Sequence, residues 1–359
     1  MKKKILIVQP AIPHYNVNFF NSFSDEYSLT VAADTKSDKN LNNGLSLKCK
    51  FNIFNLKSKN LVFGFTWNKG LFKYLWRNKF DIIVLNSNPR DLSQLLLAIF
   101  NFRKIYSWGM FHRIGKNKLV SQLAFFIYSF CSKKVLVYSR TGALNLRSLF
   151  ISTSKINIVG NGLSLKPKLS DLPDTNSGIK LLQVVRLSDY KKPSFCIDAI
   201  DMLLKKNPNA QITFDIVGDG PEYQSLIHKI KKLKLCNYIT MHGSIYEEAD
   251  LESFFTNAHI SIVPTCIGLS AHHSFSYGCP VITDNSLSNQ ASEFDILFNK
   301  YNSLIYDENS VESLCDCIET LMVNEKLLAD LRVGAYNTVL QNNTHTKYTN
   351  FKKGLQLDA

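Results

Sequence analysis

The residues of this 359-residue chain that are most clearly suited to binding a ligand follow an apolar run in its second half. After the run 260–263 a loop passes through Gly268, and a helix of about two turns ends at Gly278 before another β-branched run begins. In such a βαβ unit the helix amino terminus lies at the carboxyl end of the first strand, where free N–H groups and the helix dipole favour an anion. Gly268 removes a side chain where a phosphate would approach the backbone, so Gly268 is a candidate phosphate-binding residue. The alternative is that the unit serves packing alone, as many do in parallel sheets.

Two basic residues, Arg186 and Lys191, lie between an apolar run that ends at Val185 and a helical segment that begins at Pro193. A guanidinium and an ammonium at the carboxyl end of a strand can bind an anion and stabilise negative charge that grows during a reaction. This spacing between two basic residues is common by chance. The position of the pair between a strand and a helix makes the pattern more specific.

Two pairs of polar residues in the first half of the chain also follow apolar runs that are predicted strands. His14 and Tyr15 follow the first apolar run and a turn with two prolines, and His112 and Arg113 follow an apolar run that ends at Ser107. Imidazole can bond a hydroxyl group, and guanidinium can bind a phosphate. The alternative for each pair is a structural role at the start of a helix or loop.

The elements that must position these residues are alternating strands and helices. The run 4–8 is apolar, which is typical of a strand buried on both faces of a parallel sheet. The loop after it is not rich in glycine, so the dinucleotide-binding fingerprint is absent and NAD is disfavoured. The segment 163–177 is rich in Ser, Pro and Asp, which indicates a domain boundary. We therefore predict two α/β domains, 1–170 and 171–340, and a C-terminal helical segment, 341–359.

The run 273–281 reads His-Ser-Phe-Ser-Tyr-Gly-Cys-Pro-Val. It resembles the Glu-Ala-Met-Ala-x-Gly-x-Pro-Val phrase that ends the nucleotide-sugar-binding segment of the family-four retaining glycosyltransferases. His273 stands where the second of two family glutamates occurs, and the loop before it is too short to hold the first. A subgroup from bacterial polysaccharide clusters is similar in having Gly-Leu-Ser, a His in the helix and a later Gln-x-x-Glu-Phe, which Gln290, Glu293 and Phe294 match. Glu293 is therefore a candidate to replace one of the two glutamates.

Three further segments of the second half resemble the same family. Arg186 and Lys191 fit its Arg-Leu-x-x-x-Lys pattern, and the run 214–221, Phe-Asp-Ile-Val-Gly-Asp-Gly-Pro, fits its strand and glycine turn. The run 239–245 is similar to the strand and loop that hold the nucleotide base. A glycine turn alone is weak support, because glycines in turns usually serve positive φ angles. The resemblance implies the α/β GT-B fold, in which two Rossmann-like, doubly wound parallel-sheet domains face a central cleft and the final helix packs back on the first domain.

The resemblance also implies an activity. It implies a retaining hexosyltransferase that moves a sugar from a nucleotide-sugar donor to a lipid-linked or saccharide acceptor, in the biosynthesis of a bacterial surface polysaccharide such as O-antigen, lipopolysaccharide or capsule. The implied mechanism is front-face substitution, in which the leaving phosphate helps to deprotonate the acceptor and no protein nucleophile is needed. The implied catalytic residues are Arg186, Lys191 and His112, of which the last matches a family histidine beside the donor sugar. The implied donor-binding residues are Gly218, Gly243, Ile245, Gly268, Leu269, Ser270, His273 and Glu293, and the implied acceptor-binding residues are His14, Tyr15 and Arg113.

We predict neither a metal nor a separate cofactor. The acidic run 293–295, Glu-Phe-Asp, could be mistaken for the metal motif of the other large glycosyltransferase fold, but it follows no long strand. The eight cysteines are scattered without CxxC or zinc-ligand spacing, which favours reduced and mostly buried thiols.

The formal charge of +13 is divided unevenly along the chain. Residues 1–180 contain 27 Lys and Arg against 8 Asp and Glu, a net charge of +19, whereas residues 181–359 contain 15 against 21, a net charge of −6. The basic residues are dispersed among apolar and aromatic ones, as between Lys116 and Lys134, which suits an anionic membrane surface better than nucleic acid. Solvated helix faces are the alternative.

The apolar runs 95–102 and 119–131 are shorter than the ~20 residues needed to cross a bilayer. We therefore expect a cytoplasmic protein, peripheral on the inner face of the cytoplasmic membrane. Two other functions stay open from the sequence. One is a sugar-nucleotide epimerase or hydrolase on the same fold, and the other is a basic nucleic-acid or membrane-surface binding protein with a degenerate cleft.

Overall fold

The computed structural model describes residues 2–36, 42–101, 103–114, 119–169, 171–175 and 178–357. The chain divides into two compact units, the first formed by Met1–Ser164 with Asn343–Ala359 and the second by Leu165–Asn342.

The boundary between the units differs by a few residues from the predicted one at 170 and 171. The segment after Ser164 packs within the second unit, because Leu165 joins an apolar cluster with Leu182 and the Lys168 N–H donates to the Ser276 carbonyl over 2.7 Å. The return to the first unit falls between Asn342 and Asn343 instead of after residue 340.

The first unit is built on a parallel sheet with seven strands in its described residues. In chain order the strands of this unit are β1 Lys4–Val8, β2 Ser28–Ala33, β3 Asn52–Asn55, β4 Lys57–Asn60, β5 Thr66–Lys69, β6 Ile82–Asn86, β7 Tyr106–Gly109, β8 Lys134–Val137 and β9 Ile156–Ile158. The sheet order is β3-β2-β1-β6-β7-β8-β9, and β4 and β5 form a separate antiparallel hairpin. Residues 5–8 of β1 are fully buried, as expected for a central strand of a parallel sheet covered on both faces.

In its described residues, the first unit has five α-helices before residue 165: α1 His14–Ser24, α2 Leu71–Arg77, α3 Leu92–Phe100, α4 Leu119–Cys131 and α5 Arg140–Ser148. Side-chain caps determine where two of them begin. The Asp91 carboxylate accepts from the Gln94 N–H at the start of α3, and the Ser139 hydroxyl accepts from the Gly142 N–H at the start of α5. Such caps satisfy N–H groups that have no acceptor inside the helix.

The second unit has a parallel sheet with six strands in its described residues. Its strands are β10 Ile179–Val184, β11 Ile212–Val217, β12 Ile239–Gly243, β13 Ile260–Ile262, β14 Val281–Asp284 and β15 Ser303–Tyr306, in the order β12-β11-β10-β13-β14-β15. Its helices are α6 Pro193–Lys206, α7 Tyr223–Lys232, α8 Glu248–Asn257, α9 Ser270–Ser276, α10 Val311–Val323 and α11 Glu325–Gln341. The predicted fold class, two α/β domains with doubly wound parallel sheets, is confirmed.

The last helix, α12 Thr344–Gly354, packs on α1 of the first unit. Phe351 is fully buried, and its ring lies 5.2 Å from that of Phe19 and 4.9 Å from that of Trp108. The Lys347 ammonium donates to the side-chain oxygens of Asn16 and Asn161, each over 3.0 Å. These contacts fix the end of the chain against the first sheet.

None of the helices described combines the length and the apolar character needed to cross a bilayer.

Candidate functional site

In the second sheet, the direction in which the chain adds successive strands reverses between β10 and β13. Chain order runs outward from β10 to β11 and β12 on one side and from β13 to β14 and β15 on the other. In open α/β sheets ligands bind outside the carboxyl ends of the strands at such a switch point. Arg186 and Lys191 follow β10, and Gly268 follows β13. The topology therefore places the predicted phosphate-binding residues at the two strands that flank the switch point.

A hydrogen bond joins these two segments. The Lys191 ammonium donates to the carbonyl oxygen of Cys266, two residues before Gly268. Lys191 ends a short 3₁₀ turn, Asp189–Lys191, and its side chain is half-buried. The structure thus brings Lys191 and the loop 264–269 together.

Arg186 is exposed at the carboxyl end of β10, and the backbone on both sides of it is fixed. The Val185 N–H donates to the Val217 carbonyl over 3.1 Å, and the Leu187 N–H donates to the Asp219 carbonyl over 3.0 Å. The glycine turn after β11 therefore positions the segment that presents the guanidinium.

Gly218 is needed for that packing. A Cβ atom on Gly218 would lie 1.9 Å from the Val185 carbonyl oxygen, and its φ of +147° lies in the region that favours glycine. This close approach is a sufficient structural reason for the glycine. Gly218 supports Arg186 through the backbone, which is a different role from the predicted direct contact with the donor.

In contrast to Gly218, Gly268 is not required by the packing around it. A Cβ atom built on it would meet no atom within 4 Å among the described residues, and its φ is not in the positive region. The backbone N–H groups of Gly268, Leu269 and Ser270 have no hydrogen-bond acceptor in the described part of the chain. The helix that follows, α9, is only seven residues long. These N–H groups and the adjacent ammonium of Lys191 are the features here that can bind an anion.

The loop 264–269 is held by Gln290, which is buried at 2% exposure. Its Oε1 accepts from the Ile267 N–H over 2.8 Å, and its Nε2 donates to Thr283 Oγ1 over 3.0 Å and to Asp284 Oδ1 over 2.8 Å. Burial raises the pKa of Asp284, and the hydrogen bond from the Ser286 N–H partly offsets this shift. Sequence reasoning named Gln290 only as part of a phrase, so its positioning role was missed.

His273 contacts α8. Its Nε2 lies 2.8 Å from Glu248 Oε1, its ring packs on Phe255 at 4.9 Å, and the Tyr277 hydroxyl donates to the same carboxylate oxygen. Burial and the bond to Glu248 raise the pKa of Tyr277. No predicted element contained Glu248, because α8 itself was not predicted. The structure gives His273 a partner that ties α9 to α8.

Three other predicted donor-site residues lie in the same unit. Glu293 is buried at 5% exposure in the 3₁₀ turn Ser292–Ile296 and accepts from the Ser292 hydroxyl over 2.9 Å. Gly243 has a φ of +71° with open space beside it, and its carbonyl accepts from the Gly218 N–H over 2.7 Å. The half-buried Ile245 packs against an apolar cluster that includes Leu251.

The predicted acceptor residues lie in the first unit, His14 and Tyr15 at the start of α1 and Arg113 in the loop after β7. The His14 N–H donates to Asn43 Oδ1 and the Asn43 amide donates to His14 Nδ1, both over 2.9 Å. Tyr15 is half-buried, and its ring centroid lies 5.5 Å from that of His14 in an edge-to-face arrangement. Arg113 donates through Nη1 to Ser121 Oγ over 2.7 Å. His14 thus has a structural partner at the start of α1.

His112 lines a cavity of about 390 Å³ in the first unit. Its Nδ1 lies 3.2 Å from the Met110 carbonyl oxygen, and its buried Nε2 has no hydrogen-bond partner among the residues that the structure describes. The loop is held from α5, where Asn145 donates to the Phe111 carbonyl over 2.7 Å. His112 therefore has a ring nitrogen available for a bound group.

Among the described residues no group of three or more His, Cys, Asp and Glu side chains could hold a metal ion.

The family model described as "Glycosyl transferases group 1" matches residues 171–338. No curated protein matches the chain significantly. Among solved structures, HepE from Anabaena in complex with UDP is 15% identical, with a TM-score of 0.76 and 99% of each chain covered. The lipopolysaccharide outer core galactosyltransferase WaaB is 13% identical, with a TM-score of 0.73 and coverage of 99% of this chain and 100% of that one.

A mutant of S. aureus TarM, in complex with fondaparinux, alpha-GlcNAc-glycerol and UDP, is 11% identical, with a TM-score of 0.72 and 99% of each chain covered. At these identities the likeness shows the fold, which is GT-B along the whole chain. Within that fold, residues 171–338 of the second unit are similar in sequence to the glycosyl transferases group 1 family.

Proposed function

We propose that this protein transfers a hexose from a nucleotide-sugar donor to a lipid-linked or saccharide acceptor with retention of anomeric configuration. The observation that carries the proposal is the contact of Lys191 with the Cys266 carbonyl, beside three backbone N–H groups that have no acceptor in the described residues. An ammonium and free amides at a switch point suit a diphosphate. Because the HepE and TarM structures contain UDP, a UDP-sugar is the first donor to test.

In the proposed reaction the bond between the anomeric carbon and the donor phosphate oxygen breaks as the acceptor oxygen bonds to the same face of the sugar. The departing phosphate takes the acceptor proton. Arg186 and Lys191 stabilise the charge that grows on the diphosphate, which is the largest electrostatic demand of such a step. His112 bonds a sugar hydroxyl through its free Nε2, and no protein nucleophile, metal ion or separate cofactor takes part.

The proposed acceptor belongs to a bacterial surface polysaccharide pathway, in which the chain would act on O-antigen, lipopolysaccharide or capsule. The similarity to WaaB, a lipopolysaccharide outer core galactosyltransferase by its description, supports this setting. Tyr15 and Arg113 are the proposed acceptor contacts, with His14 positioned beside Tyr15 by Asn43.

We also propose that the first unit lies on the cytoplasmic face of an anionic membrane. Helices α3 and α4 contain no charged residue, and their exposed side chains form an apolar surface that we call the α3–α4 surface: Leu96, Ile99, Phe100, Leu119, Val120, Leu123, Phe126 and Phe130. Exposed Lys104 and Lys133 follow the two helices. Apolar side chains beside basic ones suit the boundary between lipid headgroups and acyl chains.

The transfer reaction can be tested in two steps. First, UDP-, GDP- and other activated sugars are screened by thermal unfolding, because a ligand at about 100 times its Kd stabilises the folded state by about 2.7 kcal/mol. The donor that binds is then incubated with saccharide and lipid-linked acceptors, with and without EDTA, and the product linkage is determined by NMR.

A retained anomeric configuration and an EDTA-insensitive rate are expected. An inverted product would refute retention, and inhibition by EDTA that added metal reverses would refute the metal-independent mechanism. Release of UDP without acceptor would favour a hydrolase, and an isomerised sugar nucleotide would favour an epimerase. If no nucleotide sugar binds, the result would favour the hypothesis of a membrane-surface binding protein.

A further inference from the structure

The cavity in the first unit extends well beyond His112. It lies at the carboxyl ends of the neighbouring parallel strands β6 and β7, beside the switch point between β1 and β6. Its volume of about 390 Å³ and its largely apolar lining with a few polar side chains are typical of a small-molecule site. At the end of β6 and in the loop that follows, its lining residues with polar or charged side chains are Asn86, Ser87, Asn88 and Arg90, none of which has been assigned a role above.

The buried side chain of Ser87 gives the strongest indication that the cavity binds a ligand. The residue is buried at 5% exposure, and its Oγ has no hydrogen-bond partner among the described residues. Its backbone is fixed, because its N–H donates to the Trp108 carbonyl over 3.0 Å. A Cβ atom on Gly109 would lie 3.2 Å from the Ser87 Cβ, so the glycine keeps space beside it. A buried hydroxyl without a partner is unfavourable unless a bound group supplies the hydrogen bond.

The same cavity therefore has two buried polar atoms that the described protein leaves unsatisfied, Ser87 Oγ and His112 Nε2. Both can exchange hydrogen bonds with hydroxyl groups. Apolar side chains, including Met110, Phe111 and Phe125, form much of the remaining wall. A sugar ring matches this combination, because it has hydroxyl groups at its edge and C–H groups on its faces.

Two arginines add positive charge to the lining. Arg90 is exposed, and Arg113 uses Nη1 to bond Ser121 Oγ. No carboxylate lines the cavity in the part of the chain that the structure describes. The nearby Asp91 carboxylate is turned to Asn68, Ser93 and Gln94. Guanidinium groups without a carboxylate partner favour a phosphate.

We infer that this cavity binds the phosphorylated sugar of the acceptor, with sugar hydroxyls on Ser87 and His112 and the phosphate on Arg90 and Arg113. The inference rests on the proposed transferase function. It assigns the ligand to the acceptor because the donor diphosphate already has a separate set of cationic and amide groups in the second unit. The sugar hydroxyl that His112 bonds is then one of the acceptor, and not one of the donor as the family resemblance implies. The phosphate source is either a lipid-linked sugar or a free sugar phosphate.

The inference can be tested on the full chain with saturating UDP, which fills the donor diphosphate site. The probes are N-acetylglucosamine 1-phosphate, N-acetylglucosamine and inorganic phosphate, followed by calorimetry. We expect the sugar phosphate to bind more tightly than either fragment. Ser87→Ala should weaken it about fivefold to tenfold, since one hydrogen bond is lost, and Arg90→Gln should weaken it at least tenfold. The matched controls Ser148→Ala and Arg77→Gln, at exposed sites of the same unit, should leave the affinity for the sugar phosphate unchanged.

Folding and donor binding are separate readouts. Ser87→Ala removes only an unpaired hydroxyl, so its Tm should equal or exceed that of the unmodified protein. UDP affinity should be the same in every variant, and loss of UDP binding in the unmodified protein would count against the proposed function and not against this inference. Equal affinity for inorganic phosphate and the sugar phosphate, or unchanged affinity in both Ser87→Ala and Arg90→Gln, would overturn the inference.

A final comparison identifies the source of the phosphate. The same sugar phosphate is presented with an isoprenoid chain on its phosphate, in detergent, to the unmodified protein and to Ser87→Ala. Tighter binding of this lipid-linked form would assign the cavity to a lipid-linked acceptor, and equal binding would assign it to a free sugar phosphate. Binding of the lipid-linked form that Ser87→Ala does not weaken would contradict a role for the cavity.

Discussion

Lys191 and Lys192 are neighbours in the chain, but their side chains have different partners. Lys191 bonds the Cys266 carbonyl beside the phosphate-binding loop, whereas Lys192 donates to Asn309 Oδ1 over 2.7 Å. We expect Lys191→Ala to lower kcat about 10²- to 10³-fold, because it removes a cation that stabilises the leaving diphosphate. Lys192→Ala is the matched control and should retain most of the activity. Equal loss in the two variants, measured as kcat/KM with the same donor, would remove Lys191 from the mechanism.

Three glycines of the second unit should respond differently to alanine. Gly218→Ala forces a Cβ atom against the Val185 carbonyl and should destabilise the second unit by about 3 kcal/mol or more. Gly243→Ala meets open space but keeps a φ of +71°, so a cost of about 1 kcal/mol is expected. Gly268→Ala meets open space at an ordinary φ, so its stability should be nearly unchanged while its affinity for UDP falls. Urea unfolding and UDP titration of the three variants check this order, and unchanged UDP affinity in Gly268→Ala would contradict a phosphate contact there.

Asp284 gives a pH-dependent prediction. Its pKa in the folded state is raised, chiefly by burial, so between the unfolded and folded pKa values the folded protein binds more protons. Stability therefore falls as pH rises through that window, and the buried carboxylate is least favourable at neutral pH. Asp284→Asn can still accept from the Ser286 N–H and should unfold at a higher temperature than the unmodified protein at pH 7. The difference should shrink as pH falls towards 4. A constant difference across pH would show that the effect is not electrostatic.

At the scale of elements, α12 shows how a distant segment completes the first unit. Phe351 is fully buried against Phe19 and Trp108, so Phe351→Ala should lower the free energy of unfolding by about 3–5 kcal/mol. Phe150→Ala, at 96% exposure in the same unit, is the control and should change it by less than about 0.5 kcal/mol. Chemical denaturation followed by circular dichroism measures both. Similar values for the two variants would mean that α12 contributes little to the stability of the unit.

Elements with a strong local pattern could be predicted from the sequence. The strand predicted over Ile179 to Val185 is β10, and the helix predicted over Glu325 to Leu340 is α11, each within one residue of the prediction at its carboxyl end. The polar composition of segment 34–60 predicts loop or short strands. Its described part contains β3 and β4, because hydrogen bonds to β2 and β5 overcome the weak β propensity of Lys and Asn.

The candidate site was predictable only in part, because local sequence patterns do not indicate contacts between segments that are distant in the chain. Arg186, Lys191 and Gly268 follow apolar runs, so their place at one sheet edge follows from the rule for parallel strands. The bonds from Gln290 to Ile267 and from Glu248 to His273 join residues 23 and 25 positions apart, and no periodic pattern marks such contacts. Likewise, the orphan hydroxyl of Ser87 becomes apparent only when the packing around it is known.

For the whole molecule, the division of charge has a structural counterpart. The half of the sequence with a net charge of +19 lies almost entirely in the first unit, which also carries the apolar α3–α4 surface. Positive charge draws a protein towards anionic lipid over about a Debye length, and apolar side chains then insert at the interface. Neither feature alone would give stable attachment, so binding should depend on both.

This dependence on two features gives the last prediction. The protein should sediment with vesicles containing phosphatidylglycerol, and much less with neutral vesicles or at high salt. Leu119→Gln combined with Leu123→Gln should weaken binding about tenfold or more, because two side chains at 88% and 62% exposure lose their transfer into lipid. Val323→Gln combined with Val333→Gln, at 86% and 49% exposure in the second unit, is the control and should bind normally. Because all four side chains are exposed, Tm should hardly change in either variant. Equal binding by both double variants would show that charge alone attracts the protein and that the α3–α4 surface does not enter the membrane.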